Sequence, residues 1–221
     1  LAFPNWSPKV HLTPWFTPDP EASLVLGMDW GISDDNLAAI VACRYTPRGR
    51  LIAFREWTWT GLDAYAAGFE FAESLATAAL PRWPDQMVAD SAMNERTGVG
   101  GGTIMTEFQS GINAALQPFH VPPLAVIGAP KGPGSRKVMF NTITKMLAWG
   151  PELADGTVPA TKMPIFQIML DQAGQPTCPV LAADLATAPK MLGIDEVDKK
   201  KAKFAAGDAF GYLLAMVLPQ A

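Results

Sequence analysis

The run Leu24-Val25-Leu26-Gly27-Met28-Asp29-Trp30-Gly31 decides the reading of the fold. An apolar stretch of β character ends in one carboxylate, and the glycine that follows lets the backbone turn. An unpaired charge inside a buried strand costs several kcal/mol or neutralises itself. Asp29 therefore belongs at a strand end, where its charge is aimed into a cleft. Two later segments offer it company: Met87-Val88-Ala89-Asp90-Ser91 and Gly207-Asp208-Ala209-Phe210. The expectation is that these three Asp residues form one metal site.

The chain has 221 residues, 49% of them hydrophobic and 17% charged, which suits one well-filled globular domain rather than a disordered chain. No apolar run approaches the ~18–20 residues that span a bilayer. Cys43 and Cys178 lie far apart without metal or redox spacing, and only His11 and His120 are histidines, which argues against a zinc site. The formal net charge of −4 disfavours a protein that coats nucleic acid, but leaves room for an enzyme with acidic metal ligands and a local basic patch.

Outward from the first run, the order of elements is β-rich and then alternating. Residues 24–29, 37–45 and 51–59 read as three strands with short links, which suggests an antiparallel meander. Apolar residues then recur at helical spacing over 62–80. A short strand at 86–90, a glycine-rich loop at 94–102 and a helix at 103–116 follow. Next come a strand at 124–128 and a helix opened by Gly132-Pro133-Gly134-Ser135 and running to about Trp149. A strand at 165–170, a short helix capped by Thr177, a charged loop at 195–203 and a last helix over 204–218 complete the chain. The fold class expected is α/β: a mixed sheet, three antiparallel strands and then parallel ones, flanked by helices. Residues 1–21 carry five prolines and read as a linker or an arm held by Trp6, Trp15 and Phe16; the opening Leu suggests a piece of a longer protein.

In such a sheet the first and fourth strands can lie side by side and parallel. Asp29 and Asp90 then leave at the same edge, where α/β sheets bind ligands. Small residues around Asp208 (Ala205, Ala206, Gly207, Ala209) allow the last helix a close approach to the sheet. Converging carboxylates repel one another unless a cation neutralises them, and all-oxygen ligation selects Mg²⁺ or Mn²⁺. Each Asp also has an ordinary role open to it: Asp29 and Asp90 in turns, Asp208 in a first helical turn, where the dipole favours it.

Met28-Asp29-Trp30-Gly31, Val88-Ala89-Asp90-Ser91-Ala92 and Asp208-Ala209-Phe210-Gly211-Tyr212 resemble the three acidic motifs of the nuclease domain of phage terminase large subunits, the DNA-packaging motors. The spacing agrees, as does a helix bearing Lys131, Arg136, Lys137 and Lys145, and the resemblance spans about 24–218. It implies an RNase H-like nuclease domain over 23–221, with 1–22 as the arm from an N-terminal ATPase domain. It also implies a metal-dependent endonuclease that cuts double-stranded viral DNA with little sequence specificity during packaging. The implied cofactors are two divalent ions, Mg²⁺ or Mn²⁺: Asp29 bridges both, Asp208 helps hold the ion that activates water, and Asp90 the ion at the leaving 3′ oxygen. Portal protein and the small terminase subunit are implied partners through the full-length protein, in the cytoplasm of the infected bacterial host. Two departures stand out: Ala205 occupies the position where many members have His, and no Gly-x-x-x-x-Gly-Lys-[Ser/Thr] occurs.

Arg96, Lys131, Arg136, Lys137, Lys200 and Lys201 are candidate contacts to backbone phosphates, or else ordinary surface charges. Asp34 and Asp35 read more simply as turn residues than as a fourth oxygen ligand. Three rival readings remain. A sugar-kinase or actin-like module would need two phosphate loops and about twice the length. A non-catalytic docking module for portal or capsid would show no metal dependence. A nuclease of the Holliday-junction resolvase type would require branched DNA.

Overall fold

The computed structural model describes residues 1–16, 22–31, 37–45, 49–78, 83–84, 86–95, 101–130, 132–194, 196–201 and 203–217. Asp34, Asp35, Arg96 and Lys131 lie outside them, as do Gly98, Val99 and Gly100. Among the described residues seven strands form one sheet: β1 (Leu12–Thr13), β2 (Ser23–Asp29), β3 (Ala38–Tyr45), β4 (Leu51–Trp59), β5 (Gln86–Ala89), β6 (Val126–Gly128) and β7 (Phe166–Met169). Their spatial order is β1-β7-β4-β3-β2-β5-β6, with β2-β3-β4 antiparallel and the remaining pairings parallel. The expected mixed α/β sheet is the one observed.

Helices cover both faces: α1 (Pro8–His11), α2 (Ala64–Thr77), α3 (Ile104–Leu116), α4 (Ser135–Met146), α5 (Pro179–Thr187) and α6 (Ala205–Val217). Strand β2 is an interior strand between β3 and β5, and the two-residue side-chain period divides it between two cores. Leu24, Leu26 and Met28 join the core under α2 and α3, while Val25 joins the core under α4, α5 and α6. Full burial on both faces explains why 24–28 is continuously apolar instead of alternating.

The pair α2–α3 is locked by reciprocal glycines. A Cβ on Gly68 would overlap the carbonyl oxygen of Phe108, and one on Gly111 that of Tyr65, so only glycine permits this helix spacing. Asp63 caps α2 by accepting from the Ala66 amide at 2.7 Å, and Thr103 caps α3 by accepting from Thr106 at 3.1 Å. The expected helix over 62–80 is shorter in the structure, ending at Thr77.

The opening residues are built into this body. Leu12 and Thr13 extend the sheet beside β7, Gln167 Nε2 donates to the Val10 carbonyl at 2.8 Å, and the Ala2 amide donates to Ala188 at 2.7 Å. Phe3 stacks between Phe140 and Phe204, with ring centroids 5.2 and 5.7 Å away. Buried Ala2, Phe3, Val10 and His11 are the main anchors; Trp6 and Phe16 are partly buried, and Trp15 is half exposed.

Candidate active site

Parity on β2 aims Asp29. Val25, Gly27 and Asp29 alternate onto the face covered by α6. A Cβ on Gly27 would overlap the Ala209 carbonyl oxygen and crowd the Leu213 side chain, so α6 lies directly on β2 at this glycine. Asp208 immediately precedes Ala209 and therefore stands next to the end of β2. The small residues around Asp208 do what their size allows: Ala206 and Ala209 are fully buried against the sheet.

Asp90 reaches the same edge from β5. Met28 and Ala89 are register partners across the parallel pair, and the Asp90 amide donates to the Met28 carbonyl at 3.1 Å. The next residues along each strand, Asp29 and Asp90, thus emerge together. Asp90 also caps a single 3₁₀ turn, Ser91–Asn94, by accepting from the Ala92 amide at 3.0 Å. Its ordinary turn role is therefore real.

The three carboxylates meet electrostatically at Tyr212, one helical turn beyond Asp208. Burial raises the Tyr212 phenol, and the charges of Asp29, Asp208 and Asp90 raise it further, in that order. Burial likewise raises the Asp208 carboxyl; Lys199 and Arg136 oppose the rise, and Asp90 adds to it. Asp208 is only 4% exposed, and its Oδ1 is buried without a hydrogen-bond partner among the described residues. An orphaned anionic oxygen in such a place is an expensive arrangement unless a cation completes it.

The donor set is all oxygen, which fits a hard divalent ion. Among the described residues, no three His, Cys, Asp or Glu side chains are drawn together tightly enough to hold an ion as they stand. The Lys199 ammonium is ion-paired with Asp208 Oδ2.

No family model matches the sequence, and neither does any curated protein. In three dimensions the chain is similar to the nuclease domain of the P22 large terminase, with a TM-score of 0.63 over 98% of this chain and 91% of that one, at 12% identity. The chain has the fold of a terminase nuclease domain. Its mixed seven-stranded α/β sheet is consistent with the RNase H-like fold that the three acidic motifs implied.

Within this terminase nuclease fold the expected cations are not equivalent. Arg136, in the first turn of α4, is exposed yet near enough to act on both Asp208 and Tyr212. Lys137 and Lys200 are exposed, and Lys201 pairs with Asp198 at 3.2 Å. Lys199 is the lysine of its run that turns inward. Its segment is tied down by Met191 donating to Glu196 at 2.9 Å and Asp198 donating to Pro189 at 2.7 Å. The run 199–201 has no periodicity from which to tell the inward lysine from the outward ones. A cavity of about 380 Å³ lies between α4 and this segment, bounded by Arg136, Ile143, Met191, Lys199 and Asp208.

Sequence reasoning missed two further carboxylates. The expected cap of α5, Thr177, instead donates its hydroxyl to the Met169 carbonyl at 2.9 Å. Cys178 holds the cap position without a side-chain bond, and Glu56 of β4 accepts from Val180 at 2.7 Å and Leu181 at 3.0 Å. Asp184 of α5 in turn accepts from the Gly207 amide at 3.0 Å, and burial raises its carboxyl to about 6. Neither residue sits in a motif, because both act across the chain, 124 and 23 residues from their partners.

Proposed function

We propose that this chain is a metal-dependent endonuclease domain that cuts double-stranded viral DNA with little sequence specificity during genome packaging. The observation that carries the reading is that Asp29 and Asp90 leave the parallel strands β2 and β5 side by side, next to α6 with Asp208, whose Oδ1 is buried and has no hydrogen-bond partner among the described residues. The similarity to the P22 large terminase nuclease domain supports the nuclease and packaging assignment.

Asp29, Asp90 and Asp208 would hold two divalent ions, Mg²⁺ or Mn²⁺, with Asp29 shared between them. When bound, such a pair supplies an activated water and neutralises charge on the leaving 3′ oxygen. The chain's own residues do the rest. In this reading Asp208 would help hold the ion that activates water, and Asp90 the ion at the leaving 3′ oxygen. Burial of Asp208 and Tyr212 keeps the carboxylate edge partly dry, which strengthens every charge interaction made there. Arg136, Lys137, Lys200 and Lys201 contact backbone phosphates, and Arg96 and Lys131 are assigned the same role. Phosphate contacts position the duplex without reading its bases, in keeping with low sequence specificity.

The 1–22 arm is assigned to the connection with an N-terminal ATPase domain, and portal protein and the small terminase subunit are partners of the full-length protein. The site of action is the cytoplasm of the infected bacterial host; no helix among the described residues is long and apolar enough to cross a membrane.

Supercoiled-plasmid cleavage at low salt, with Mg²⁺, with Mn²⁺ and with chelator, tests the reading on wild type beside Asp29→Ala. Metal-dependent nicking and linearisation that vanish in the variant support it. Cleavage that survives in Asp29→Ala rejects the site. A folded protein inactive with every metal favours the docking module instead.

A further inference from the structure

Helix α6, which carries Asp208, borrows its N-terminal cap. The residue before Ala205 is Phe204, whose ring is buried against Phe3 and offers no acceptor to the first-turn amides. Those amides are satisfied from another element: Gly207 donates to Asp184 Oδ2 at 3.0 Å, and Ala206 donates to the same carboxylate. Asp184 is itself held in place, because α5 is capped by both oxygens of Glu56 on β4. A line of contacts thus runs from the sheet through α5 to the turn that presents Asp208.

The need for this support is visible in Gly207. A Cβ there would collide with the Phe204 ring, so glycine is required, and it gives the first turn more backbone freedom than any other residue would. That freedom sits one residue before a carboxylate whose position matters. Two hydrogen bonds from a rigidly anchored carboxylate remove it.

We propose that Asp184 is a positioning residue for the site: by holding the Ala206 and Gly207 amides it fixes the rotation and axial place of the first turn of α6, and so where Asp208 presents its buried oxygen. This rests on the reading of Asp208 as a metal ligand. Asp184 touches neither substrate nor ion in this assignment. It acts through the backbone.

The test is isothermal titration of the whole 221-residue chain with Mn²⁺ alone, for wild type, Asp184→Ala and Asp184→Asn, well below their melting temperatures. Loss of an outer-shell partner typically weakens metal binding about 10–100-fold. Asp184→Ala is expected to bind Mn²⁺ at least about tenfold more weakly, and Asp184→Asn, which keeps an acceptor oxygen, to recover most of that loss. Amide exchange in the wild type provides a second measure that survives a failure of Asp184→Ala to fold. Linkage requires that a cap which favours the metal be favoured by it. Mn²⁺ should therefore slow exchange at Ala206 and Gly207 more than at the amides of α3, on the far face of the sheet. A folded Asp184→Ala with wild-type Mn²⁺ affinity overturns the proposal, as does exchange at Gly207 that ignores the metal. No Mn²⁺ binding by the wild type is a different result, and it overturns the ligand reading itself.

Discussion

The ammonium of Lys199 is paired with Oδ2 of Asp208, the most buried carboxylate at the candidate site. A protein side chain thereby compensates a charge that the same carboxylate would otherwise share with a bound ion. Lysine suits such a place because its flexible stem can withdraw to water, leaving its oxygen open.

Removing that counter-charge should separate the metal-free from the metal-bound protein. Lys199→Met leaves the Asp208 charge uncompensated, with a cost of about 1–2 kcal/mol, lower than for a fully buried pair because Lys199 is 42% exposed. Urea denaturation without metal should show this loss. Adding Mn²⁺ should restore more stability to the variant than to wild type.

Gly27 is the point where β2 and α6 touch. Gly27→Ala places a methyl group on the Ala209 carbonyl, a backbone atom that cannot rotate aside. Overpacking against backbone is expected to cost about 2–4 kcal/mol. Chemical denaturation measures the loss, and plasmid cleavage should fall with it because Asp208 is carried on the displaced helix.

His11 ties the opening segment to the body and should make its docking acid-sensitive. Its ring is buried, with Nδ1 at 3.1 Å from the Ser7 amide and Nε2 at 3.1 Å from the Leu147 carbonyl. Burial lowers its pKa below the ordinary 6.5, outweighing the backbone bonds that raise it. A histidine depressed in the folded state stabilises fully above the unfolded pKa and loses that contribution as pH falls. Wild type should therefore lose stability below pH 6.5, by at most about 1.4 kcal/mol per pH unit from this group. His11→Gln should lack that slope in thermal melts taken across the same range.

Phosphate contacts have a signature in salt. Arg136→Ala, Lys137→Ala and Lys200→Ala should each weaken duplex binding by a similar factor on unrelated sequences. Each should also reduce the slope of log affinity against log salt by about 1. Fluorescence anisotropy between 50 and 200 mM salt, roughly the range over which such contacts are lost, measures both. Lys201, paired with Asp198, should contribute less.

Much of the fold was legible because it is written in local periodicity. The strand 51–59 coincides with β4, and the expected meander and the parallel pairing of β2 with β5 are both present. The acidic motifs were legible for the same reason: each carboxylate falls where a strand or the last helix begins or ends. The caps of α5 and α6 were not, since Glu56 and Asp184 reach amides far away in sequence. Lys199 was indistinguishable from its neighbours, because a loop imposes no period on its side chains.

By itself, the sequence determined that 24–29 is an apolar strand ending in Asp29, because a continuous run of β-type apolar residues closed by a carboxylate and a glycine is a local signal. Only the tertiary structure decided which cations join the expected carboxylates there. Asp90, Asp208, Lys199 and Arg136 gather around one edge because β5 pairs with β2 and α6 passes over Gly27. Electrostatic energy depends on distance through space, and chain order does not encode that distance.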